Sequence, residues 1–342
     1  MHICHVMPAL FPVARYGGAE RAAYYLAKGL AELGHRNTFL CKPGSRMDFA
    51  DTLPLDEAKD LASQIPSGVD VVQLYSTPAT LPKFPYLVCI QGNGKPGEKF
   101  LPNTVFLSQD HAQRHNWTEF VFNGIDPDEY PLSIKKNADE LLFLAKGSWP
   151  VKNLFGALKL AKEADCSLNV LGAEASVLDR ICNRHAHFFG MIGGEEKLRV
   201  LQQSQTLLFP VLWNEPFGVA LIEALATGCS VVGSDWGSIP EIVDDSCGKT
   251  CSTKEGFLQA IAGRSGWSPE ACRRRVVDHF THRHQAEKYL SYYQKVNSGH
   301  VLREGHPFCS SDFIQEEIRS IGGLPLSLRA RIKKKKQLDS VL

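Results

Sequence analysis

Two glutamates separated by seven residues, Glu215 and Glu223, bracket a proline and a glycine at an expected helix start. Carboxylates accept hydrogen bonds from hydroxyls, and sugars carry many hydroxyls. Pro216 suits the first turn of a helix, where its missing N–H costs nothing, and Gly218 lets a ligand approach the backbone closely. The free N–H groups of a helix start point at anions such as a diphosphate. The segment therefore indicates a nucleotide-sugar site, with Glu223 about two turns inside the helix.

Paired glycines, Gly17 and Gly18, follow the first expected strand and lie at the N-terminus of the clearest helix in the sequence. Their backbone N–H groups can approach an anion closely, although two glycines also suit an ordinary turn between a strand and a helix. The helix is expected over residues 19–33 and ends before Gly34. Its apolar face is formed by Ala23, Leu26, Ala27, Leu30 and Leu33.

Two lysines, Lys146 and Lys152, lie at the end of an expected strand over residues 141–145 and in the loop that follows it. In an open α/β sheet, ligands bind beyond the carboxyl ends of the strands, which is where both lysines fall. When a nucleotide sugar breaks, negative charge develops on the diphosphate, and fixed cations stabilise that charge most in the transition state. These lysines would then do the work of a metal ion. The alternative is a pair of solvated surface lysines.

The glutamate segment resembles the signature of a large family of retaining glycosyltransferases, the family 4 type of the glycosyl transferases group 1. Glu215, residues 216–218 and Glu223 match that signature position by position. The resemblance implies the GT-B fold, an α/β fold with two facing Rossmann-like domains, parallel sheets and an interdomain cleft. It also implies that Glu215 contacts hydroxyls of the transferred sugar and that Glu223 contacts the ribose of the donor nucleotide.

The resemblance implies roles for ten residues in all. The catalytic residues would be Lys146, Lys152 and Glu215. The donor-binding residues would be Gly17, Gly18, Gln91, Phe217, Gly218, Val219 and Glu223. No metal ligand and no cofactor are expected, and UDP is favoured over GDP or ADP as the nucleotide of the donor.

The activity implied is that of a metal-independent hexosyltransferase. It would move a sugar from a nucleotide diphosphate sugar to a glycan or lipid-linked acceptor, with retention of configuration, in envelope polysaccharide or lipopolysaccharide biosynthesis. A double displacement needs a carboxylate nucleophile at the anomeric carbon, and the sequence offers no convincing candidate. We therefore expect front-face transfer, in which the leaving phosphate takes the acceptor's proton while Lys146, Lys152 and the helix N-termini hold its charge.

Two positions depart from the family pattern. Gln91 stands where a histidine is common, and Lys146 stands where an arginine is common. Glutamine donates hydrogen bonds but does not titrate near neutral pH, and lysine lacks the bidentate fork of arginine. His111 and His115 are alternative sources of a titrating group. Two other functions stay open: a nucleotide-sugar epimerase or phosphorylase of the same fold, and a catalytically silent nucleotide-sugar-binding protein.

Composition limits the class of protein. A chain of 342 residues with 44% hydrophobic residues predicts about two domains, and a net charge of +1 gives no overall attraction to nucleic acid. The ten cysteines are scattered without the spacing of a zinc site, which is typical of reduced core cysteines in a cytoplasmic protein. The apolar start of the chain is expected to form a buried strand, and no apolar run reaches the roughly 18 residues of a membrane span.

Short runs of Val, Ile, Leu and Phe alternate with stretches of helix length, which predicts parallel sheets covered on both faces. Strands are expected near residues 2–7, 37–41, 70–74, 86–90, 104–108, 120–122, 141–145, 167–171, 187–189, 206–210 and 229–233. Turn-forming residues place a boundary between an acceptor-side domain over residues 1–128 and a nucleotide-sugar-binding domain over residues 129–280. The resemblance adds a helix over about 281–296 that packs back on the first domain.

The tail over residues 297–342 has no assigned role. Its basic run at residues 333–336, preceded by Arg329 and Arg331, is suited to weak contact with anionic lipid headgroups, and a solvated tail is the alternative. The sequence therefore predicts a cytoplasmic protein with an optional peripheral contact at the inner face of the membrane.

Overall fold

The computed structural model describes residues 1–14, 17–78 and 82–310, which form two compact units. The first unit comprises Met1–Pro131, Glu215–Glu223 and, among the described residues, 274–310, and the second comprises Leu132–Asn214 and Ala224–Arg273. The domain boundaries at residues 128 and 280 stay predictions. The basic run at residues 333–336 lies outside the described residues. Within the described ranges, no helix has the length and apolar character needed to cross a bilayer.

The first unit is built on a sheet of six parallel strands in the order β3-β2-β1-β4-β5-β6. These strands are β1 (His2–Val6), β2 (Arg36–Cys41), β3 (Asp51–Pro54), β4 (Val71–Leu74), β5 (Tyr86–Cys89) and β6 (Thr104–Val105). The central strands are buried along their whole length. Burial on both faces explains why they are continuous apolar runs in the sequence.

The second unit has a sheet of six parallel strands in the order β12-β11-β10-β7-β8-β9. These strands are β7 (Asn137–Leu144), β8 (Ser167–Leu171), β9 (Ala186–Gly190), β10 (Ser204–Phe209), β11 (Ser230–Ser234) and β12 (Gly248–Cys251). Numbered from its own first strand, this sheet has the same order as the first, which is the doubly wound Rossmann order. The predicted α/β fold with two parallel sheets is confirmed.

Ten α-helices connect and flank the strands of the described chain. They are α1 (Gly18–Glu32), α2 (Gln109–Arg114), α3 (Leu154–Glu163), α4 (Val177–Cys182), α5 (Gly194–Gln203), α6 (Val219–Ala226), α7 (Ile239–Ile242), α8 (Lys254–Ala262), α9 (Pro269–His279) and α10 (His282–Asn297). The helix expected over residues 19–33 is therefore present one residue earlier, as α1.

The strand predictions fail at the edges of the sheets. The edge strands β3 and β12 are absent from the predicted set, because both are four residues long and carry polar side chains instead of an apolar run. The strand expected near residues 120–122 is reduced to a single bridge between Phe106 and Phe120. An edge strand needs only one neighbour, so its sequence is less constrained by burial.

The start of helix α10 packs against two glycines, one in α1 and one in the segment that follows the first sheet. A Cβ atom at Gly29, inside α1, would overlap the carbonyl oxygen of His282, and one at Gly124 would overlap the carbonyl oxygen of Thr281. The backbone of Ile125 bonds on both sides of this contact, donating to Phe280 O at 3.0 Å and accepting from His282 N at 2.8 Å. The two glycines therefore set how closely the start of α10 approaches the sheet layer of the first unit.

None of the ten cysteines forms a disulfide bond, and nine of them are buried, Cys182 being exposed. Burial raises the pKa of Cys4 to about 12, so its thiol stays protonated at neutral pH. The pKa of Cys89 is also raised to about 12 by burial. The prediction that the cysteines lie in the core is confirmed for the nine buried residues.

The contact at Gly29 predicts the effect of a small substitution. Alanine favours a helix interior over glycine by about 1 kcal/mol, but overpacking a core costs about 1–3 kcal/mol. Because the added methyl meets backbone atoms, we expect Gly29→Ala to lower the free energy of unfolding by about 1–3 kcal/mol in urea titrations. Gly266→Ala, where a Cβ meets open space, is the control and should stay within about 0.5 kcal/mol of the parent. If the two variants are equally stable, the close contact between Gly29 and the backbone of His282 is contradicted.

Candidate functional site

The strand order of each sheet marks one position where a ligand is expected. The direction of winding reverses between β1 and β4 in the first unit and between β7 and β10 in the second. In doubly wound sheets, ligands bind beyond the carboxyl ends of the strands at this switch point. Gly17 and Gly18 follow β1, and Lys146 and Lys152 follow β7. The topology thus places these four predicted site residues at the switch points of their own units.

The turn before α1 requires a glycine and leaves room for a ligand. Gly17 has φ 156°, and a Cβ atom there would crowd the carboxylate of Glu20 and the side chain of Val13. A Cβ atom at Gly18 would meet nothing within 4 Å. No side chain among the described residues caps the start of α1. The first N–H groups of this helix are therefore suited to an anionic ligand.

The two lysines of the second unit lie against tryptophan rings. Lys152 is only 7% exposed, and its Nζ lies 4.8 Å from the ring centroid of Trp213 and 5.4 Å from that of Phe209. Lys146 Nζ lies 5.5 Å from the ring centroid of Trp149, and the two tryptophan centroids are 6.2 Å apart. The ammonium group of a lysine is attracted to the face of an aromatic ring. The predicted cations therefore belong to one aromatic cluster, and Lys152 is a core residue of it.

Asn153 fixes the backbone beside Lys152. It adopts the left-handed conformation with φ 55° and ends a short 3₁₀ helix, Pro150–Lys152. Its side chain also caps α3 by accepting a hydrogen bond from Gly156 N at 3.0 Å. Its amide also donates to Pro210 O at 2.9 Å, in the loop after β10. This hydrogen bond joins the loops that follow β7 and β10, so the backbone next to Lys152 is fixed in position.

The glutamate segment departs from the predicted helix start. Helix α6 begins at Val219, so Pro216 lies outside it and Glu223 is one turn inside instead of two. The expected start at Pro216 is wrong because Gly218 has φ 85°, a left-handed conformation that interrupts a helix. Glycine is needed there for backbone conformation. The first turn of α6 still follows directly after Gly218.

Phe217 anchors this segment within the first unit. Its ring is 1% exposed and lies 6.0 Å, between centroids, from both Phe122 and Phe280. Next to it, Pro216 O accepts a hydrogen bond of 2.9 Å from the hydroxyl of Ser108. The same hydroxyl accepts from His111 N and so caps α2. Because the Phe217 side chain is enclosed, its predicted contact with a donor is confined to the backbone.

Glu223 is 3% exposed, and buried carboxylates need hydrogen bonds. The hydroxyl of Tyr130 donates to Glu223 Oε1 at 2.8 Å. Burial disfavours the charged form of Arg21, but the nearby Glu223 carboxylate and the tyrosines beside it raise the pKa of Arg21 above its usual value. Arg21 lies one helical turn after Gly17 and donates from its backbone to Gly17 O. The first unit therefore brings the glycine turn and Glu223 together around Arg21.

Glu215 is 5% exposed and lies near the charge of Arg114. Burial lowers the pKa of Arg114, while Asp110 and Glu215 act in the opposite direction. Arg114 Nε donates to Asp110 Oδ2 at 2.6 Å, which fixes the guanidinium on α2. An arginine held in this way can stabilise a buried carboxylate. Glu215 and Glu223 are thus each accompanied by one arginine of the first unit.

Helix α2 also holds the loop that follows β5. His111 Nε2 donates to Gly92 O at 3.1 Å, Arg114 Nη1 donates to Asn93 Oδ1 at 2.9 Å, and Gly94 N donates to His115 Nε2 at 3.1 Å. The three side chains are spaced i, i+3 and i+4, so one helix face fixes three successive loop residues. Arg114 therefore connects this loop with Glu215.

Gln91 begins the same loop. Its Nε2 lies 3.0 Å from Cys89 Sγ, so the amide turns back toward the strand that precedes it. Its predicted contact with the donor stays a prediction.

His111 and His115 are structural residues of this network. Burial lowers the pKa of His115 to about 4, and it lowers the pKa of His111 well below its ordinary value. His115 Nδ1 donates to His111 O at 2.7 Å, and His111 Nδ1 accepts from Leu107 N at 3.3 Å. Both rings are therefore neutral at pH 7. Neither supplies the group titrating near neutral pH that the sequence suggested.

Two comparisons with known sequences give matches over part of the chain. Residues 140–263 match the sequence model of the family described as Glycosyl transferases group 1. Over 93 residues the chain is 26% identical to an uncharacterized 41.2 kDa protein in the cps region of Klebsiella pneumoniae. That match covers 27% of this chain and spans only 26% of the relative's length.

Solved structures match over most of the chain. AviGT4, a glycosyltransferase involved in avilamycin A biosynthesis, gives a TM-score of 0.76 at 23% identity, covering 87% of this chain and 98% of that one. WaaG, a glycosyltransferase involved in lipopolysaccharide biosynthesis, gives 0.57 at 15% identity, covering 89% and 100%. HepE from Anabaena, in complex with UDP and glucose, gives 0.60 at 12% identity, covering 86% and 99%. The chain has the GT-B glycosyltransferase fold.

Within this GT-B fold, several residues near the predicted ones have no signal in the local sequence. They are Ser108, Arg114, Tyr130 and Trp213. Their partners lie far away in the sequence or on other elements, so spacing alone does not reveal them. Arg21 is different, because it lies one turn after the glycine pair on a helix that the sequence predicts.

The buried histidines predict how stability depends on pH. An unfolded histidine has a pKa of about 6.5, and the pKa of His115 is lowered to about 4 in the folded chain. Between these values the unfolded state binds more protons, so stability is lost as the pH falls, by up to about 1.4 kcal/mol per pH unit for one histidine. Urea midpoints between pH 7 and pH 4.5 should therefore fall less steeply for His115→Gln than for the parent chain.

The control is His300→Gln, because His300 is exposed in the first unit. Its slope should equal that of the parent. If His115→Gln and the parent have the same slope, the folded His115 is not kept neutral by burial.

Proposed function

We propose that this protein is a retaining, metal-independent glycosyltransferase of the family 4 type. It transfers a hexose from a nucleotide diphosphate sugar to a glycan or lipid-linked acceptor. The observation that carries the proposal is the burial of two carboxylates, Glu215 and Glu223, at the signature positions of that family. Carboxylates are rarely buried unless they are paired or used. The family match over residues 140–263 and the GT-B fold support the same conclusion.

The two carboxylates are suited to different hydroxyls of the donor. In this proposal Glu215 accepts hydrogen bonds from hydroxyls of the transferred sugar, and Glu223 accepts from the ribose. Charged acceptors make hydrogen bonds worth about 1.5–3 kcal/mol each, enough to orient a sugar. The backbone of Gly17, Gly18, Gly218 and Val219 binds the donor through N–H groups at the starts of α1 and α6.

Lys146 and Lys152 stabilise the charge that develops on the leaving diphosphate. Both are cations on aromatic rings, and Lys152 is buried, so solvent screens its charge weakly. Fixed cations need no reorganisation when the bond breaks, which is the main advantage of a preformed electrostatic site. The leaving phosphate then removes the acceptor's proton on the same face of the sugar, so the configuration is retained without a carboxylate nucleophile.

A UDP sugar is the proposed donor, and envelope polysaccharide or lipopolysaccharide is the proposed product. HepE binds UDP and glucose in its solved structure, and WaaG acts in lipopolysaccharide biosynthesis. The Klebsiella pneumoniae relative is a protein of a cps region. We also propose that the enzyme works in the cytoplasm, with at most a peripheral contact with the membrane.

A second candidate is a catalytically silent nucleotide-sugar-binding protein. The contact between the Gln91 amide and Cys89 Sγ favours it, because that position holds a histidine in many family members. An epimerase or phosphorylase of the same fold is a third candidate. The three functions differ in what they do with a donor, so one set of assays separates them.

The donor assay has two stages. Thermal-shift measurements with UDP, GDP and ADP sugars should show a rise in melting temperature with a UDP sugar, because binding stabilises the folded state. Incubation of that sugar with candidate acceptors should then give a product whose anomeric configuration, read by NMR, equals that of the donor, with unchanged activity in EDTA. Product without an acceptor indicates an epimerase, and phosphate-dependent cleavage indicates a phosphorylase. Binding without transfer or hydrolysis indicates the silent protein, and inversion or loss of activity in EDTA overturns the proposal.

Lys152→Ala tests the role of the buried cation. Removing one preorganised group that stabilises transition-state charge lowers kcat about 100- to 1,000-fold in other enzymes. We expect a loss of that size in kcat, with a change in the Kd of the donor smaller than about tenfold, since ground-state binding uses many other groups. Lys159→Ala, at an exposed lysine of α3, is the matched control and should keep full activity. Equal losses in kcat and in affinity contradict a role confined to the transition state.

A further inference from the structure

One face of helix α1 carries a row of polar side chains that leads to Glu223. Arg21, Tyr25, Lys28 and Glu32 are spaced by four, three and four residues, so they lie on the same side of the helix. Tyr25 and Lys28 contact residues of the segment that follows the first sheet, about 100 positions later in the chain. The hydrogen bonds of Lys28, Tyr25 and Tyr130 can be followed from the surface inward to Glu223.

At the outer end, Lys28 Nζ lies 2.6 Å from both Asp126 Oδ2 and Glu129 Oε1. Glu129 uses its other oxygen to accept from the Tyr25 hydroxyl at 2.8 Å. The Tyr25 hydroxyl also lies 3.4 Å from the Tyr130 hydroxyl. Since Glu129 is the closer and the charged acceptor, the Tyr25 proton belongs mainly to Glu129.

At the inner end, the Tyr130 hydroxyl donates to Glu223 Oε1 at 2.8 Å. Tyr130 and Glu223 are both buried, and burial together with the Glu223 carboxylate raises the pKa of Tyr130 well above its ordinary value. The phenol therefore keeps its proton over the whole physiological range and acts only as a donor toward the carboxylate. On the same carboxylate, Arg21 supplies a positive charge, and its guanidinium also donates to Val13 O at 3.3 Å.

We propose that Tyr130 is a positioning residue for Glu223, whose carboxylate it orients to accept a hydrogen bond from the ribose of the donor nucleotide. This inference rests on the proposed function and adds to it a residue that the family signature does not contain. Tyr130 itself touches no reacting atom. It acts by fixing one oxygen of Glu223, while the positive charge of Arg21 lies near the same carboxylate. The ribose is then recognised by a group whose orientation is set before the donor arrives.

The test separates ribose recognition from general binding by using two probes. Affinities for UDP and for 2′,3′-dideoxy-UDP are measured by calorimetry on the full chain. The parent should bind UDP more tightly than the dideoxy analogue. Tyr130→Phe should weaken UDP binding about tenfold, the size expected when one hydrogen bond to a charged group is lost, and should leave binding of the dideoxy analogue within about twofold. In a Glu223→Gln background the same change should have no further effect on UDP.

Tyr25→Phe is the matched control, because it removes an equally buried phenol hydroxyl that bonds Glu129 and leaves Glu223 untouched. It should lower the melting temperature about as much as Tyr130→Phe while keeping the preference for UDP. Arg21→Lys is a second variant at a half-buried residue, useful if Tyr130→Phe does not fold. Lysine keeps the positive charge of Arg21 but cannot make the two parallel hydrogen bonds that a guanidinium makes to a carboxylate. Arg21→Lys should therefore weaken UDP binding a few-fold, again without affecting the dideoxy analogue.

The outcomes are distinct. If Tyr130→Phe weakens both probes equally, or neither, or if its effect persists beside Glu223→Gln, then Tyr130 does not position Glu223 for the ribose, while the proposed function stands. If the parent binds none of UDP, GDP and ADP, the proposed function falls and the inference falls with it. If GDP or ADP binds in place of UDP, the same comparison with its dideoxy analogue decides the role of Tyr130.

Discussion

The burial of the Glu223 carboxylate is the constraint around which the first unit is organised. Removing such a group from water costs several kcal/mol unless hydrogen bonds and an opposite charge compensate for the loss. Here Tyr130 supplies the hydrogen bond and Arg21 supplies the charge. These partners come from α1 and from the chain after the first sheet, so both elements must be placed accurately for α6 to keep Glu223 buried. The glycines at which α1 and Ile125 meet α10 serve that placement.

Much of the fold follows from the sequence because both sheets are parallel and buried on two faces. Central strands such as β4 and β5 must be apolar throughout, and they are visible as short apolar runs. The edge strand β12 has one neighbouring strand, so polar residues are tolerated and the pattern disappears. The start of α6 was misplaced for another reason. Proline is common in the first turn of a helix, so Pro216 suggested a helix start. The left-handed conformation of Gly218 prevents a helix from beginning there, and an apolar pattern does not reveal this conformation.

The candidate site was predictable only where its residues share a short segment. Four predicted residues lie in short motifs whose spacing alone indicates a chemical role: Glu215, Glu223, Lys146 and Lys152. Tyr130 is 93 positions from the glutamate that it contacts, so only the folded chain brings the two together. The same is true of the tryptophan that covers Lys152, which is contributed by the loop after another strand. The spacing of residues in the sequence therefore predicts the side chains suited to contact with a ligand. The side chains that position them are found only in the folded structure.

The two units have the same strand order but bury opposite charges. The first unit buries carboxylates, each accompanied by an arginine, and the second buries the ammonium of Lys152 against aromatic rings. A nucleotide sugar has two kinds of group to be recognised: hydroxyls, which donate to carboxylates, and a diphosphate, which cations neutralise. Under the proposed function, one topology with two charge patterns would provide both kinds of partner.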